Sequence, residues 1–96
     1  MISEKLWDNI ISKLTSSENE IQTTTGLWFK AYVKEQRLFV DKANNHYPSS
    51  KLTKPRTITK KDFLLVHSYY KTDIQKEASK KSKNTAYIFA LINYYR

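Results

Sequence analysis

Residues 82–96 read SKNTAYIFALINYYR, and the rest of the chain is organised around this stretch. It begins with Ser, Asn and Thr, which are residue types that cap helices, and continues as an almost unbroken apolar and aromatic run. A helix that is apolar on nearly all sides is buried, either inside its own domain or against a partner. The stretch therefore predicts a helix at about 84–95 that belongs to the core or to an interface.

The positive charge of the protein is concentrated in its second half. The 96 residues carry 17 Lys/Arg and 9 Asp/Glu, which gives a formal net charge of +8. Residues 1–45 hold six basic and six acidic residues, whereas residues 46–96 hold eleven basic residues and three acids. Such asymmetry indicates an anionic partner, chiefly nucleic acid, and says nothing about the fold. A generally lysine-rich composition would also make the chain basic without a nucleic-acid partner.

Length and composition predict one globular domain spanning residues 1–96. The absence of cysteine excludes disulfides and thiolate zinc sites, and it fits a reducing cytoplasm, which is the expected location. The N-terminus has no basic region followed by an apolar one, so we expect no signal peptide. The longest uncharged run has 12 residues, too few to span a bilayer of about 30 Å, so we expect no membrane partner.

Periodicity predicts one helix and several strands in the first half. An apolar stripe indicates a helix at about 3–16; its members are Ile2, Leu6, Trp7, Ile10, Ile11 and Leu14. Residues 27–33 alternate strictly, with Leu27, Phe29, Ala31 and Val33 on one face and Trp28, Lys30 and Tyr32 on the other. We predict strands at about 20–25, 27–33 and 37–43, which form an antiparallel hairpin or a three-stranded meander at about 20–43 and rest on helices.

A long basic loop and a second helix follow the strands. Two prolines with several Asn and Ser residues predict irregular structure over 44–56. Thr59-Lys60-Lys61-Asp62 approximates a capping box, and Ile58 with Phe63 fits a hydrophobic staple, so a helix is predicted at about 59–71. With the helix at about 84–95, the predicted fold class is α+β.

Residues 72–83 allow two interpretations. They form either a solvated linker or a short helix at about 73–79 that leads by a turn into the last helix. In the second case 73–95 would be helix-turn-helix-like, because Ala78, Ser82, Ile88 and Leu91 stand where that motif has a small residue, a turn residue and two core aliphatics. The turn residue of the motif is usually glycine, whereas here it is Ser82.

The sequence offers no arrangement typical of an enzyme. His46 lies in the polar loop and His67 in the middle of a predicted helix, where a packed or surface role is the ordinary one. There is no paired acidic motif and no His-x₃-His, and Gly26 is the only glycine, so a glycine-rich phosphate loop is excluded. We predict a non-enzymatic protein with no catalytic residue, no cofactor and no metal.

Two basic clusters are the best candidates for a binding site. The first holds Lys51, Lys54, Arg56, Lys60 and Lys61, and the second holds Lys71, Lys76, Lys80, Lys81 and Lys83. Each lies at or before a predicted helix start, where backbone N–H groups favour anions. Because lysine greatly outnumbers arginine, we expect phosphate contacts with little base specificity, unless residues of the cap reach base edges. The predicted nucleic-acid contacts are Lys51, Lys54, Arg56, Lys60, Lys61, Lys76, Lys80, Lys81, Lys83, Asn84 and Thr85.

Two functional hypotheses follow. The preferred one is a small nucleic-acid-binding protein that contacts phosphates, with DNA expected ahead of RNA. The second is a protein-interaction factor that uses the apolar, tyrosine-rich C-terminal helix, either as an inhibitor or adaptor of an acidic protein or as a homodimer. Trp28, Tyr32, Tyr47 and the terminal tyrosines are also candidates for stacking on single-stranded bases, although a place in the core would explain each of them.

Overall fold

A computed structural model describes residues 2–96, apart from the side chain of Ile2, and shows an α+β fold. Helix α1 (Ile2–Ser16) precedes the strands β1 (Asn19–Gln22), β2 (Trp28–Lys34), β3 (Arg37–Lys42) and β4 (Arg56–Ile58). They are followed by α2 (Lys60–His67), a 3₁₀ turn (Gln75–Glu77), α3 (Ala78–Lys81) and α4 (Thr85–Tyr95). The predicted fold class and order of elements are confirmed. No helix within residues 2–96 combines the length and apolarity needed to cross a membrane.

The strands form one antiparallel sheet in the order β1-β2-β3-β4, so the predicted meander has a fourth strand. In β4, Arg56 pairs with Val40 and Ile58 pairs with Leu38. The sequence predicts a loop that includes Arg56, because three residues directly after Pro55 are too few to display a period of two. Pairing with β3, and not local propensity, makes this segment a strand.

Two turns set the lengths of the first three strands. The predicted strand at 20–25 ends at Gln22, because the Gly26 amide donates to the Thr23 carbonyl (3.0 Å) and Gly26 has φ +94°. Between β2 and β3 the turn has two residues, Glu35 and Gln36, with φ of 54° and 64°. Positive φ at both positions gives the twist that a tight hairpin requires, although neither residue favours it.

The core lies between one face of the sheet and the helices. Fully buried side chains from the sheet, α1, α2 and α4 form a single cluster; these include Phe29, Ala31, Leu38, Val40, Ile10, Phe63, Ile88 and Leu91. The predicted helical stripe of α1 is confirmed at Ile10 and Leu14, while the Ile2 side chain lies outside the described residues. The apolar body of α4 is part of this core.

Helix α2 starts as predicted but is four residues shorter than the predicted end at 71. Its start is capped by Thr59 Oγ1, which accepts a hydrogen bond from the Asp62 amide at 3.1 Å. At its end the Ser68 hydroxyl donates to the Leu65 carbonyl at 2.6 Å, and the following amides bond three residues back instead of four. Side-chain bonding of this kind competes with the helical pattern, so the helix ends at His67.

Of the two interpretations of residues 72–83, a solvated linker or a short helix before the last helix, the structure shows the short helix. The 3₁₀ turn and α3 together cover 75–81 instead of 73–79, and a three-residue turn leads into α4. The helix-turn-helix positions Ala78, Ser82, Ile88 and Leu91 are all buried. However, α4 has no basic residue before Arg96 and its first residue is buried, so it lacks the charged, exposed start that reads a DNA groove.

Candidate nucleic-acid interface

Two members of each basic cluster are connected by contacts or by a shared depression. Arg56 Nη1 donates a hydrogen bond to the Lys83 carbonyl at 3.4 Å across 27 positions of sequence. Lys61 and Lys81 line the same open depression of about 400 Å³, together with the chain neighbours of Arg56 and Lys83, namely Thr57 and Asn84. We call Arg56, Lys61, Lys81 and Lys83 the basic junction.

A carboxylate holds the parts of the junction together. Asp62 Oδ2 accepts hydrogen bonds from Ser82 Oγ at 2.8 Å and from Asn84 Nδ2 at 3.3 Å. Asp62 occupies the acidic position of the predicted capping box, yet its carboxylate bonds to the turn before α4. It thereby connects the first turn of α2, which carries Lys61, to the turn that follows Lys81.

The cations of the junction are available to an anion. Lys61, Lys81 and Lys83 are exposed, and Arg56 is half-buried. Among residues 2–96, the one Lys–carboxylate pair within 4.0 Å is formed by Lys80 and Glu77 at 3.2 Å. The four junction cations are therefore not neutralised by ion pairs within the described chain, and binding of phosphates would not require breaking such pairs.

The remaining predicted contact residues are less closely associated. Lys60 lines a neighbouring depression of about 480 Å³. Thr57 and Thr59 line both this depression and the one that Lys61 and Lys81 line. Lys76 lines a different depression, beside Thr24 and Phe89, and Lys80 is paired with Glu77. Lys51 and Lys54 are exposed in the segment before β4. The structure thus brings four of the predicted cations together and places Lys60 beside them.

Two of the predicted nucleic-acid contacts, Asn84 and Thr85, are nearly buried. Their exposed fractions are 7% and 9%. The Thr85 hydroxyl is within hydrogen-bond distance of the carbonyls of Ala78 (3.0 Å) and Ser82 (2.7 Å), while the Asn84 amide donates to Asp62. Both side chains bond to polar groups of the chain around the start of α4, which leaves little of either one free for a base edge, although Asn84 also lines the open depression.

The helix that motivated the protein-interaction hypothesis is buried within its own chain. Ile88, Leu91 and Ile92 are each no more than 1% exposed. They pack against the sheet and α1 in the core cluster, so the apolarity of α4 is explained without a partner. Its exposed large side chain is Tyr94, at 58%.

Sequence analysis missed the group that fixes the long loop. Glu20 accepts hydrogen bonds from the backbone amides of Asn44 (2.8 Å) and Asn45 (3.1 Å) and bonds His46 Nδ1 at 2.8 Å. Burial raises the pKa of Glu20, but the Asn44, His46 and Asn45 hydrogen bonds and the His46 charge outweigh it, so this pKa lies below its ordinary value. The His46 ring in turn stacks on Trp28, with centroids 4.1 Å apart. No local pattern signals contacts between residues 24–26 positions apart.

Within residues 2–96, no group of three or more His, Asp or Glu side chains lies close enough together to hold a metal ion. Searches against models of known protein families, curated proteins and solved structures find no match to this chain.

Proposed function

We propose that this chain is a small, non-enzymatic nucleic-acid-binding protein that contacts phosphates through the basic junction. The observation that carries the proposal is the contact between Arg56 and the Lys83 carbonyl, with Lys61 and Lys81 on one depression beside it. This contact supports the proposal because it connects members of two clusters that are separate in sequence.

The composition of the junction favours phosphates over bases. Three of its four cations are lysines, which act as point charges toward phosphate oxygens. One guanidinium nitrogen of Arg56 is engaged with Lys83, which competes with the bidentate geometry that reads guanine. We therefore expect binding that depends steeply on salt and only weakly on base sequence.

Salt titration tests the proposal. Affinity for a short DNA duplex is measured by fluorescence anisotropy at several salt concentrations, and four phosphate contacts correspond to a log–log slope of about −3.6. A second duplex of scrambled sequence should bind within a few-fold of the first, and an RNA duplex of equal length tests the preference for DNA. Absence of binding to all of them at about 100 mM salt contradicts the proposal.

A further inference from the structure

The face of the sheet opposite the core carries a stacked aromatic pair. Tyr32 of β2 is directly opposite Phe39 of β3 in the strand register. Their rings are stacked with centroids 5.4 Å apart and planes 19° apart. Both side chains are half-buried, and neither belongs to the core cluster or packs against it. The pair therefore remains partly accessible to a ligand.

Three basic side chains lie on the strands that carry this pair, and Asp41 is directly opposite one of them, Lys30. Lys30 Nζ lies 5.7 Å from the centroid of the Tyr32 ring. Lys34 and Arg37, which are opposite each other in the register at the hairpin end, are exposed. None of the three forms an ion pair within the part of the chain that the structure describes. Burial, with the charges of Asp41 and Glu18, raises the pKa of Tyr32, so its phenol stays neutral at physiological pH.

The aromatic pair is continuous with the basic junction. Phe39 pairs with Thr57 of β4, and Thr57 lines the depression that Lys61 and Lys81 also line. At the other end of β2, four residues or about 13 Å from Tyr32, Trp28 carries the stacked ring of His46, whose side chain is 48% exposed. A surface with aromatic faces, flanking cations and an adjoining cationic depression therefore crosses the sheet.

From this juxtaposition we infer that the open sheet face binds unpaired nucleobases, and that the preferred ligand is a single-stranded nucleic acid. Its bases stack on Tyr32 and Phe39 while its phosphates contact the flanking cations and the basic junction. Aromatic side chains on a sheet beside a cationic groove are a sequence-tolerant way to hold single strands. A duplex keeps its base faces stacked inside and engages the junction alone. The inference rests on the proposed function and names its ligand class.

An abasic strand provides a test that needs no variant. Wild-type protein is titrated with a labelled oligothymidylate and with an abasic phosphodiester strand of the same length and charge. Stacking contributes about 1–3 kcal/mol per base and about 1.4 kcal/mol corresponds to tenfold, so with one base on each ring the abasic strand should bind at least about tenfold more weakly. Equal affinity for the two strands overturns the inference but leaves the proposed function standing. Failure of both strands and of duplex to bind removes the proposed function as well.

Substitution of the aromatic pair tests whether the bases of the single strand bind to the sheet face. Tyr32→Val with Phe39→Val keeps strand-forming apolar residues but removes both π faces, and it should weaken single-strand binding by about 10- to 100-fold. Duplex binding should change less than about twofold, because the basic junction is intact. The matched control Tyr32→Phe keeps the ring and should bind both ligands as the wild type does. Circular dichroism checks that each variant is folded.

The outcomes separate the two claims. If the double variant binds oligothymidylate as tightly as the wild type, the sheet face is not the base-binding surface. If single-strand and duplex binding fall by the same factor, the pair does not distinguish unpaired bases, and the inference is again overturned. Oligouridylate is titrated in parallel. The inference is supported if the double variant loses affinity for oligothymidylate, for oligouridylate or for both, and the strand whose affinity falls identifies the sugar that is recognised.

Discussion

The Asp62 carboxylate accepts a hydrogen bond from the Ser82 hydroxyl at 2.8 Å, which fixes the first turn of α2 against the turn before α4. Lys61 and Lys81 are the immediate chain neighbours of these two residues, and both line the same depression. A structural contact between a carboxylate and a hydroxyl therefore determines how the two lysines are spaced. The geometry of the basic junction depends on it.

Removing this carboxylate should destabilise the protein. Asp62→Ala leaves the Ser82 hydroxyl and the Asn84 side-chain Nδ2 group, both nearly buried, without their common acceptor, and we expect a loss of about 1–3 kcal/mol in the free energy of unfolding. Urea unfolding measures it. The exposed Asp73→Ala serves as the control and should change stability by less than about 0.5 kcal/mol. Equal stability of the two variants would show that the contact does not hold the junction.

Thr85→Val tests whether the Thr85 hydroxyl fixes the start of α4 to α3 and to the intervening turn. The substitution is nearly isosteric but removes the hydroxyl that lies 3.0 Å and 2.7 Å from two backbone carbonyls. We expect a loss of about 1–2 kcal/mol in stability, observed by thermal unfolding, with DNA affinity unchanged when measured well below the melting temperature. A variant that is as stable as the wild type but binds DNA more weakly would instead make Thr85 a contact residue.

Glu20 predicts a specific pH dependence of stability. Because its pKa in the folded protein lies below the ordinary value of 4.5, the unfolded chain binds the proton more tightly. The stabilisation from Glu20 is therefore fully present above about pH 4.5 and is lost as the pH falls through the folded pKa. Glu20→Gln cannot titrate, and we expect it to be about 1–2 kcal/mol less stable than the wild type at pH 6.

Urea unfolding of wild type and Glu20→Gln between about pH 6 and pH 3 checks this sign. The difference between the two proteins should shrink as the pH is lowered. Fluorescence of Trp28, measured with Trp7→Phe in both proteins, should report the release of the stacked His46 ring over the same range. A difference in stability that stays constant with pH would mean that the carboxylate charge does not hold the loop.

Substitutions in the β2–β3 turn should increase the stability of the protein. Glu35 and Gln36 both occupy the left-handed region of backbone conformation. Gly adopts this region freely and Asn and Asp tolerate it, whereas other residues adopt it at a cost in free energy. Replacing them by Asn and Gly, as Glu35→Asn with Gln36→Gly, should raise stability by about 1 kcal/mol and the melting temperature by about 4–8 °C. In the opposite direction, Gln36→Val should destabilise the protein. A melting temperature that falls in the Asn-Gly variant would contradict the assigned turn.

The parts of the fold that sequence analysis predicted are those with a local signal. Helix α1 has an apolar stripe, β2 alternates strictly, and the start of α2 has a capping residue at Thr59. Strand β4 could not be predicted, because Arg56–Ile58 is extended only by virtue of pairing with β3. The early end of α2 depends on which way the Ser68 hydroxyl points, and composition does not reveal that.

The candidate site could be predicted only in part, because only some of its features have a local signal in the sequence. Clusters of lysine are visible in the sequence, so Lys61 and Lys81 could be identified. Their meeting depends on β4 and on the Asp62–Ser82 bond, both of which are tertiary contacts. The near burial of Asn84 could not be predicted, because an Asn at a helix start can face either solvent or the interior, and the choice depends on the partner that accepts its hydrogen bond.

The most direct test of the account compares two double variants in the salt titration of duplex binding. Lys61→Gln with Lys81→Gln removes two cations of the basic junction, whereas Lys5→Gln with Lys13→Gln removes two exposed cations of α1 and changes the net charge equally. The account predicts that the junction variant loses about two units of log–log slope, while the α1 variant keeps a slope near that of the wild type. Equal slopes for the two variants would show that binding follows net charge alone and would contradict the assignment of the junction as the phosphate-contacting surface.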